Sequence, residues 1–389
     1  MRIGIDLLWV RPGKCGGTES FIRNLLEGFL EYDKENEYIL LTAKNNARSF
    51  RKYTKKPMMK LKICNVTSSN RMNRVLWENI HLDGIAASCG VDVLFIPMYN
   101  KPLKHGSGIP YVNVIHDIQV MHYPENFSWV RRTFQRYAYW NTCRTTDRLI
   151  TISDFCKNDL IRHFPFVKNK IEMIYIPIIT KESQLNFHVI EEKYPIQKGR
   201  YYYCVSSMTP HKNLSTILKI MTREKEMKLV ISGVGGREEP VKKIIRELQI
   251  DERIVLTGYV SDEERDCLYE NCSLFLFPSV FEGFGMPPIE AMRKGKRVVM
   301  TRKTCLEEVT QKRAVYVENP YSVEEWRKKI AFARTLPEEK TLFREYDMPA
   351  IIERYINVLA AAAGCTPASG KESGADYKRR DCFGIHTGR

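Results

Sequence analysis

SLFLFPSVFEGFGMPPIEAM, residues Ser273 to Met292, is typical of a buried strand, a glycine-containing loop and the start of a helix. The run SLFLFP is apolar and ends at a proline, as expected for a strand of a parallel sheet that is covered on both faces. Pro287 and Pro288 are favoured in the first turn of a helix, where a missing N–H costs little. The stretch therefore predicts an α/β unit whose loop lies at the carboxyl end of its sheet, where ligands of such folds bind.

Two acidic side chains lie on either side of this loop. Glu282 precedes Gly283 and Gly285, which allow the main chain to approach a ligand closely, and Glu290 is predicted in the first turn of the helix. The main-chain amides of 283–286 and the positive end of the helix suit a phosphate, while carboxylates suit sugar hydroxyls. The pattern favours a sugar nucleotide. A role for Glu290 as partner of the helix dipole would explain that residue alone, but not Glu282 with two glycines.

Short apolar runs alternate with helical patterns on both sides of this stretch. The runs are RIGIDLLW, EYILLT, LKICNV, VDVLFIP, IPYVNVIH, DRLITIS and IEMIYIP in the first half, and YYYCVSS, MKLVISG, RIVLTGY, SLFLFPS and KRVVMT in the second. This alternation predicts mainly parallel sheets covered by helices. Residues 181–199 are polar and lack clear periodicity, so we interpret them as a linker. The sequence thus predicts two Rossmann-like domains, 1–180 and 200–345, with a ligand cleft between them.

The end of the chain predicts one more helix, over residues 346–362. Its apolar positions follow helical spacing and Gly364 closes it; they are Ile351, Ile352, Tyr355, Ile356 and Leu359. Residues 363–389 show no periodicity and are predicted to form a disordered tail.

Polar residues also follow three other predicted strands. YYYCVSS leads into Lys212 at the start of a helix, where a cation could neutralise a diphosphate leaving group, although such a lysine is more often a surface charge. Gly16 and Gly17 follow the first strand and suit either close ligand approach or a tight turn. The run IPYVNVIHD ends in His116 and Asp117, and this strand-end position favours ligand contact over a purely structural histidine.

Composition excludes several classes of protein. With 43% hydrophobic and 28% charged residues, the chain has the composition of an ordinary globular protein, and no run approaches the ~20 apolar residues of a membrane span. Met1 leads directly into a strand pattern, and the eleven cysteines form no CxxC pair, so we expect reduced thiols and a cytoplasmic protein. No cluster of histidines and carboxylates suggests a metal. Gly233, Gly235 and Gly236 do not form the dinucleotide motif, which disfavours a dehydrogenase.

The formal charge of +15 includes one long acid-free stretch. Residues Tyr38 to Trp77 contain ten bases, which we name the basic strip: Lys44, Arg48, Arg51, Lys52, Lys55, Lys56, Lys60, Lys62, Arg71 and Arg74. The strip is interpreted either as a patch for anionic lipid or another polyanion, or as a solvated surface. No nucleic-acid motif accompanies it, so nucleic acid is not predicted as a partner.

These motifs together resemble family 4 of the glycosyltransferases, retaining enzymes of the GT-B architecture in which two Rossmann-like domains face a cleft. The resemblance extends from Met1 to about Leu359 and is most specific from GYVSDEE through FPSVFEGFGMPPIEAM. It implies that Glu282 contacts the hydroxyls of the donor sugar and that Glu290 contacts its ribose. The loop between them implies donor contacts through the main chain of Gly283, Phe284, Gly285 and Met286.

The resemblance also assigns roles outside this loop. Lys212 matches the lysine that contacts the donor diphosphate, whereas Ser207 and His211 stand where many members or a subgroup have an arginine. Gly16 and Gly17 match the glycine loop near diphosphate and acceptor, and His116 matches the histidine beside the transferred sugar. The segments VIHDIQVMHYPENFS and ISDFCKNDLIRHF are similar to bacterial mannosyltransferase-like members that build surface polysaccharides.

The implied activity is metal-independent transfer of a hexose, with mannose favoured, from a GDP- or UDP-linked donor. The implied acceptor is a hydroxyl of a glycan or of a lipid-linked molecule, and no cofactor and no enzyme nucleophile are expected. Two alternatives remain open from the residues. One is a sugar-nucleotide epimerase or phosphorylase of the same fold, and the other is a non-catalytic basic protein that binds membrane or nucleic acid.

Overall fold

The computed structural model describes residues 1–103, 106–234 and 238–365. The chain divides into two compact units: one holds Met1–Ile152, Cys156–Pro177 and the chain from Tyr346 onward, and the other holds Ser153–Phe155 and Ile178–Glu345. Gly235, Gly236, Cys382 and residues 366–389 of the predicted tail lie outside the described residues.

The first unit contains a parallel sheet of seven strands, and each corresponds to one of the predicted runs. They are β1 (Arg2–Asp6), β2 (Glu37–Ala43), β3 (Met59–Cys64), β4 (Val93–Ile96), β5 (Tyr111–Ile115), β6 (Arg148–Thr151) and β7 (Ile171–Met173). Their order is β3-β2-β1-β4-β5-β6-β7. The direction in which the chain adds strands therefore reverses between β1 and β4, and this pair is the topological switch point of the sheet.

Within the described residues, seven α-helices belong wholly or mainly to this unit. They are α1 (Gly17–Tyr32), α2 (Ala47–Phe50), α3 (Arg71–Ser88), α4 (Gln119–His122), α5 (Trp129–Thr145), α6 (Asp154–His163) and α14 (Met348–Ala362). The helix predicted near the end of the chain is α14, and its five predicted apolar positions are all buried. It packs against α1 where a Cβ added to Gly28 would lie 2.4 Å from Cδ1 of Ile352. The close approach of these two helices therefore depends on a glycine.

The second unit contains a parallel sheet of six strands. They are β8 (Tyr201–Val205), β9 (Lys228–Ser232), β10 (Ile254–Gly258), β11 (Leu274–Phe277), β12 (Val298–Thr301) and β13 (Val315–Val317), in the order β10-β9-β8-β11-β12-β13. Its helices are α7 (Phe187–Lys193), α8 (Leu214–Met221), α9 (Glu239–Glu247), α10 (Asp262–Asn271), α11 (Met286–Arg293), α12 (Leu306–Val309) and α13 (Val323–Thr335). The sequence patterns did not predict β13. The stretch interpreted as a linker contains α7.

The core of the second unit lies between the sheet and its helices. Alternate residues of β8, β9 and β11 pack with α8 and α13, and Trp326 of α13 is fully buried there. The indole N–H of Trp326 donates to the carbonyl of Pro320 at 3.0 Å, so burial leaves no unpaired donor on this side chain.

Ten free thiols are present in the described ranges, and seven of them are buried. No helix in the same ranges combines the length and the hydropathy that a membrane span requires.

The basic strip does not form one uniform surface. Nine of its ten bases are exposed, but Arg74 is buried and pairs with Glu78. Lys52 pairs with Glu27 and Lys60 with Glu37, so acids from outside the strip offset part of its charge.

Two helical glycines allow a matched test of the α1–α14 contact. Gly84 of α3 has no atom within 4 Å of the position that a Cβ would take, so Gly84→Ala should raise the free energy of unfolding by about 0.5–1 kcal/mol through helix propensity. Gly28→Ala should instead lower it by about 1–3 kcal/mol, because Ile352 and Met348 occupy the space. Urea unfolding of both variants measures the difference; equal stabilisation by both would contradict the packing argument.

Candidate active site

The loops that follow β8 and β11 meet at the switch point of the second sheet. These strands are neighbours, although they are separated by β9 and β10 in the sequence. The N–H of Val280, after β11, donates to the carbonyl of His211, after β8, at 2.8 Å. The side chain of Ser279 donates to the same carbonyl at 3.3 Å. The two loops are therefore fixed against each other by hydrogen bonds.

Lys212 and Glu282 form an ion pair at this point, with Nζ 2.5 Å from Oε1. Their side chains are 21% and 13% exposed, so the pair is largely shielded but still reachable from solvent. Lys212 ends a short 3₁₀ turn, and Asn213 follows it in the left-handed conformation with φ 52°. Asn213 donates to the carbonyl of Pro320 at 2.8 Å, which fixes the turn that positions the lysine.

Glu290 does not lie in the first turn of its helix, which corrects the sequence prediction. Because α11 begins at Met286, Glu290 is in the second turn and is not a partner of the helix N-terminus. Its Oε2 accepts a hydrogen bond from the hydroxyl of Tyr269 at 2.9 Å and lies 4.0 Å from Nε of Arg265. Both contacts use Oε2, so within the described ranges Oε1 accepts no hydrogen bond.

The turn that follows β12 forms hydrogen bonds with the loop between the two glutamates. The N–H of Glu282 donates to Oγ1 of Thr304 at 3.2 Å, and the thiol of Cys305 donates to the carbonyls of Glu282 and Phe284, both at 3.2 Å. Gly285 adopts φ 87°, and a Cβ there would lie 2.8 Å from Leu306. Glycine at this position is thus required both by the backbone conformation and by the space available.

The remaining residues of the second unit that are predicted to bind the donor lie either at the glycine loop or after β8, and those after β8 other than Lys212 are uncharged. Gly283 lies in the same loop as Gly285, and Met286 begins α11 with its side chain buried. Ser207 is half-buried, and its hydroxyl lies 3.0 Å from that of Thr209. Burial, and then the charge of Lys212, lower the pKa of His211 to about 4. His211 is therefore neutral at pH 7 and does not replace the missing arginine as a cation.

Three side chains that support the glutamates were not predicted from the sequence. Tyr269 and Arg265 of α10 hold Glu290, and Thr304 accepts from the main chain of Glu282. Nothing in the local patterns distinguishes them from ordinary helix and turn residues. Asp266 lies in the same group, and its pKa is raised to about 6, chiefly by burial, against the lowering effect of Lys294.

The first unit has a cavity of about 390 Å³ at its own switch point. Residues that follow β1, β4 and β5 line it, together with the starts of α3 and α5. Five cationic side chains line it: Arg11, Lys14, Arg71, Arg74 and Arg131. One carboxylate, that of Asp117 in the loop after β5, also lines it. The cavity is therefore strongly positive and suits an anionic or polyhydroxylated ligand.

His116, Gly16 and Gly17 lie at this cavity or beside it. The Nε2 atom of His116 is 3.1 Å from the carbonyl of Pro97, and burial lowers the pKa of this histidine to about 4. Since a carbonyl only accepts, neutral His116 carries its proton on Nε2. Gly16 precedes α1 with φ 57°, and its neighbours Cys15 and Thr18 line the cavity. These three residues lie in the first unit, whereas Lys212, Glu282 and Glu290 lie in the second.

A buried charge group lies beside the cavity. The guanidinium of Arg74 donates to Glu78, Asn100 donates to Glu78 at 3.1 Å, and Asp6 ends β1 nearby. The pKa of Glu78 is raised to about 8, chiefly by burial and next by the charge of Asp6, against the lowering effect of Arg74. Burial likewise raises the pKa of Asp6 to about 6. One arginine thus serves two carboxyl groups.

The expectation that no histidine and carboxylate cluster exists was wrong. His122, Asp159 and His163 offer ligand atoms that all lie within 4.8 Å of one another. Nε2 of His122 lies 2.6 Å from Asp159, and Nδ1 of His163 lies 2.9 Å from the carbonyl of the same residue. The cluster escaped the sequence because His122 of α4 and Asp159 of α6 are 37 residues apart in the chain. It does not line the cavity.

Two protein-family models match the chain. Residues 15–182 match the model described as Glycosyltransferase Family 4, and residues 187–347 match the one described as Glycosyl transferases group 1. One solved structure, HepE of Anabaena in complex with UDP-glucose, has a TM-score of 0.65 and 16% identity over 94% of this chain and 98% of its own. The predicted fold class, two Rossmann-like parallel-sheet domains of the GT-B type, is confirmed.

Two curated relatives are similar over part of their length. The O-antigen chain mannosyltransferase RfbU of Salmonella typhimurium is 25% identical over 234 residues, which cover 60% of this chain and 63% of the relative. The O-antigen chain mannosyltransferase B of Escherichia coli is 29% identical over 211 residues, which cover 51% and 54%. The chain therefore spans less than two thirds of these relatives.

Glu78→Gln tests the buried charge group through the pH dependence of stability. Folded Glu78 keeps its proton up to about pH 8, whereas an unfolded glutamate loses it near its ordinary pKa of 4.5, so this group makes the protein less stable as pH rises between these values. The contribution is at most ~1.4 kcal/mol per pH unit. The Tm of the variant relative to wild type should therefore rise from pH 5 to pH 8. Exposed Glu125→Gln is the control; parallel curves for Glu78→Gln and wild type would contradict the argument.

Proposed function

Because the chain belongs to family 4 of the glycosyltransferases, we propose that it moves a hexose from a nucleoside diphosphate sugar to a hydroxyl of a glycan or lipid-linked acceptor. The family predicted from the motifs is thereby confirmed. We place the reaction in surface polysaccharide assembly, on the cytoplasmic side of the cell membrane.

The ion pair between Lys212 and Glu282 carries the proposal. At a switch point, where ligands of such sheets bind, a base and an acid lie 2.5 Å apart. A sugar diphosphate suits this pair, because its phosphates are anionic and its sugar hydroxyls donate hydrogen bonds. Lys212 would neutralise the diphosphate, and Glu282 would accept hydrogen bonds from the sugar hydroxyls. Their mutual contact keeps both side chains ordered before the donor binds.

Glu290 and the glycine loop complete the donor site. The hydroxyl of Tyr269 donates to Oε2 of Glu290 and so holds this carboxylate in one orientation. Its other oxygen, Oε1, would accept a hydrogen bond from a ribose hydroxyl. The left-handed Gly285 turns the main chain of Phe284 to Met286 into α11, where amides and the helix dipole favour an anion.

The reaction breaks the bond between the anomeric carbon and the phosphate oxygen and forms one to the acceptor oxygen. The acceptor proton passes to the departing diphosphate, on the same face of the sugar, so that the anomeric configuration is retained. Negative charge grows on the diphosphate in the transition state, and Lys212 together with main-chain amides would stabilise it. Since His211 is neutral, Lys212 supplies the side-chain charge on this loop. We propose that no metal ion is needed.

The acceptor would bind in the cavity of the first unit. His116 lines this cavity, and its unprotonated Nδ1 at neutral pH would accept a hydrogen bond from a sugar hydroxyl. Gly16 and Gly17 allow the chain before α1 to pass close to the ligand.

Mannose is the favoured sugar, because both curated relatives described above are named mannosyltransferases. Incubating the protein with GDP-mannose, UDP-glucose and related donors, with and without extracted lipid-linked acceptors, identifies the donor by release of the nucleotide. Conversion of a donor to another sugar nucleotide without acceptor would indicate an epimerase instead.

Lys212→Ala tests the proposed catalytic charge. Loss of a partner of the developing phosphate charge should lower kcat by about 10²-fold or more, and Glu290→Ala should cause a similar loss of turnover. Lys219→Ala removes the same charge from an exposed position of α8 and should leave kcat unchanged. Steady-state kinetics with the identified donor make the comparison; a fully active Lys212→Ala enzyme would contradict the assignment.

A further inference from the structure

The outward side of α5 is aromatic and basic. Its inward side packs on the sheet through residues such as Ala138, Tyr139 and Cys143. The side chains that point outward include large apolar groups, with Trp129 70% exposed; they are Trp129, Val130, Phe134, Tyr137 and Trp140. The helix contains four arginines and no acid; the arginines are Arg131, Arg132, Arg136 and Arg144.

Helix α3 adds an exposed apolar stripe. Met72, Leu76 and Ile80 follow one another at intervals of four residues, so they lie on one side of the helix, and Met72 is 82% exposed. Three such residues in register are not needed for the fold, because the buried side of α3 is formed by other positions, including Leu82 and Ala86.

The segment 101–103 contacts both helices, and the starts of these helices are neighbours because Arg71 of α3 and Arg131 and Phe134 of α5 line the same cavity. The N–H of Leu103 donates to Asn79 of α3 at 2.7 Å, and the N–H of Lys101 donates to Thr142 of α5 at 3.2 Å. Leu103 is itself exposed. We name this surface the α3–α5 face; its members are Met72, Leu76, Ile80, Leu103, Trp129, Val130, Phe134, Tyr137, Trp140 and the exposed arginines of both helices.

The α3–α5 face carries more bases than acids. Of the two acids of α3, Glu78 is buried against Arg74, and Asp83 is half-buried and accepts from Ser107 and Tyr111, both through Oδ1. Two arginines of α5 lie over aromatic rings, Arg131 over Phe127 at 4.8 Å and Arg144 over Trp140 at 5.6 Å. The face thus combines apolar side chains, amphipathic aromatic rings and guanidinium groups, and its arginines outnumber its acids.

We propose that the α3–α5 face binds an anionic lipid bilayer at the level of the headgroups. Tryptophan and tyrosine favour the membrane interface, arginines pair with lipid phosphates, and apolar residues such as Met72 and Leu76 enter the acyl boundary. A large exposed apolar patch of this kind marks an interaction site, and the excess of exposed arginines over acids favours a polyanionic partner. Arg71, Arg131 and Phe134 also line the cavity, so this membrane contact lies beside the proposed acceptor site.

The basic strip is the competing surface, and the structure disfavours it. Lys52 and Lys60 are paired with glutamates, and Arg74 is buried. Between Lys44 and Lys62 no large apolar residue is exposed, although Ile63 next to them is 48% exposed, and Arg71 of the strip is shared with the α3–α5 face. Charge alone binds a bilayer weakly, whereas charge combined with inserted apolar groups binds stably.

Vesicle co-sedimentation of the full chain tests the proposal without requiring transferase activity. Wild type should bind vesicles of 30% phosphatidylglycerol in phosphatidylcholine much more tightly than pure phosphatidylcholine. Arg136→Glu with Arg144→Glu should weaken binding about 30-fold or more, since each base near such a surface contributes roughly a factor of five. Leu76→Gln should weaken it further by reducing insertion.

Lys60→Glu with Lys62→Glu is the matched control, because it makes the same change of charge on the basic strip and should weaken binding less than about threefold. Thermal unfolding of each variant checks that the fold is retained. The proposal is overturned if wild type ignores anionic vesicles, if it binds neutral vesicles equally well, or if the strip variant loses as much affinity as the α5 variant. Transferase assays in detergent with the same variants separate loss of membrane binding from loss of catalysis.

Discussion

Parallel strands end at one edge of their sheet, and the order of the strands decides which of their loops meet there. Lys212 and Glu282 are 70 residues apart in the chain, yet β8 and β11 are adjacent, so the loops that follow them share one position. From β8 the chain continues to β9 on one side, and from β11 it continues to β12 on the other. Because such crossovers are right-handed, α8 and α11 cover opposite faces of the sheet and leave a crevice between their starts. The ion pair lies at that crevice.

The first sheet repeats the constraint with different chemistry. Its reversal lies between β1 and β4, and the loops after these strands line the cavity. In the second unit a lysine and a glutamate neutralise each other at the surface of the crevice. In the first unit, Arg74 is buried against Glu78, and His116 is neutral. The positive charge at the cavity therefore comes from the other bases that line it. One topology thus provides a crevice with a lysine–glutamate pair in the second unit and a cationic cavity in the first, because the loop residues differ.

The sequence predicts those features that depend on neighbouring residues. Twelve strands follow from apolar runs, and the glycine loop and its helix follow from Gly285 and the two prolines. β13 was missed because three residues, Val315–Val317, are too few to show a periodicity. Glu290 was placed one turn too early because the prolines at 287 and 288 suggested a later start than Met286. Partners that are distant in the chain, such as Tyr269 for Glu290 or Asp159 for His122, leave no local pattern.

Counting charges along the chain also could not locate a surface. The basic strip is acid-free in sequence, but the fold supplies acids to it from α1 and β2, as Glu27 and Glu37 show. Helix α5 has fewer bases over its 17 residues, yet within the described ranges no acid forms an ion pair with its outward arginines Arg136 and Arg144. The aromatic residues between them, Tyr137 and Trp140, lie on the same exposed side. A surface suited to a membrane thus differs from a solvated one in having arginines and aromatic residues together on one exposed side of a helix. That arrangement depends on helical geometry and on which side of the helix the rest of the fold leaves exposed.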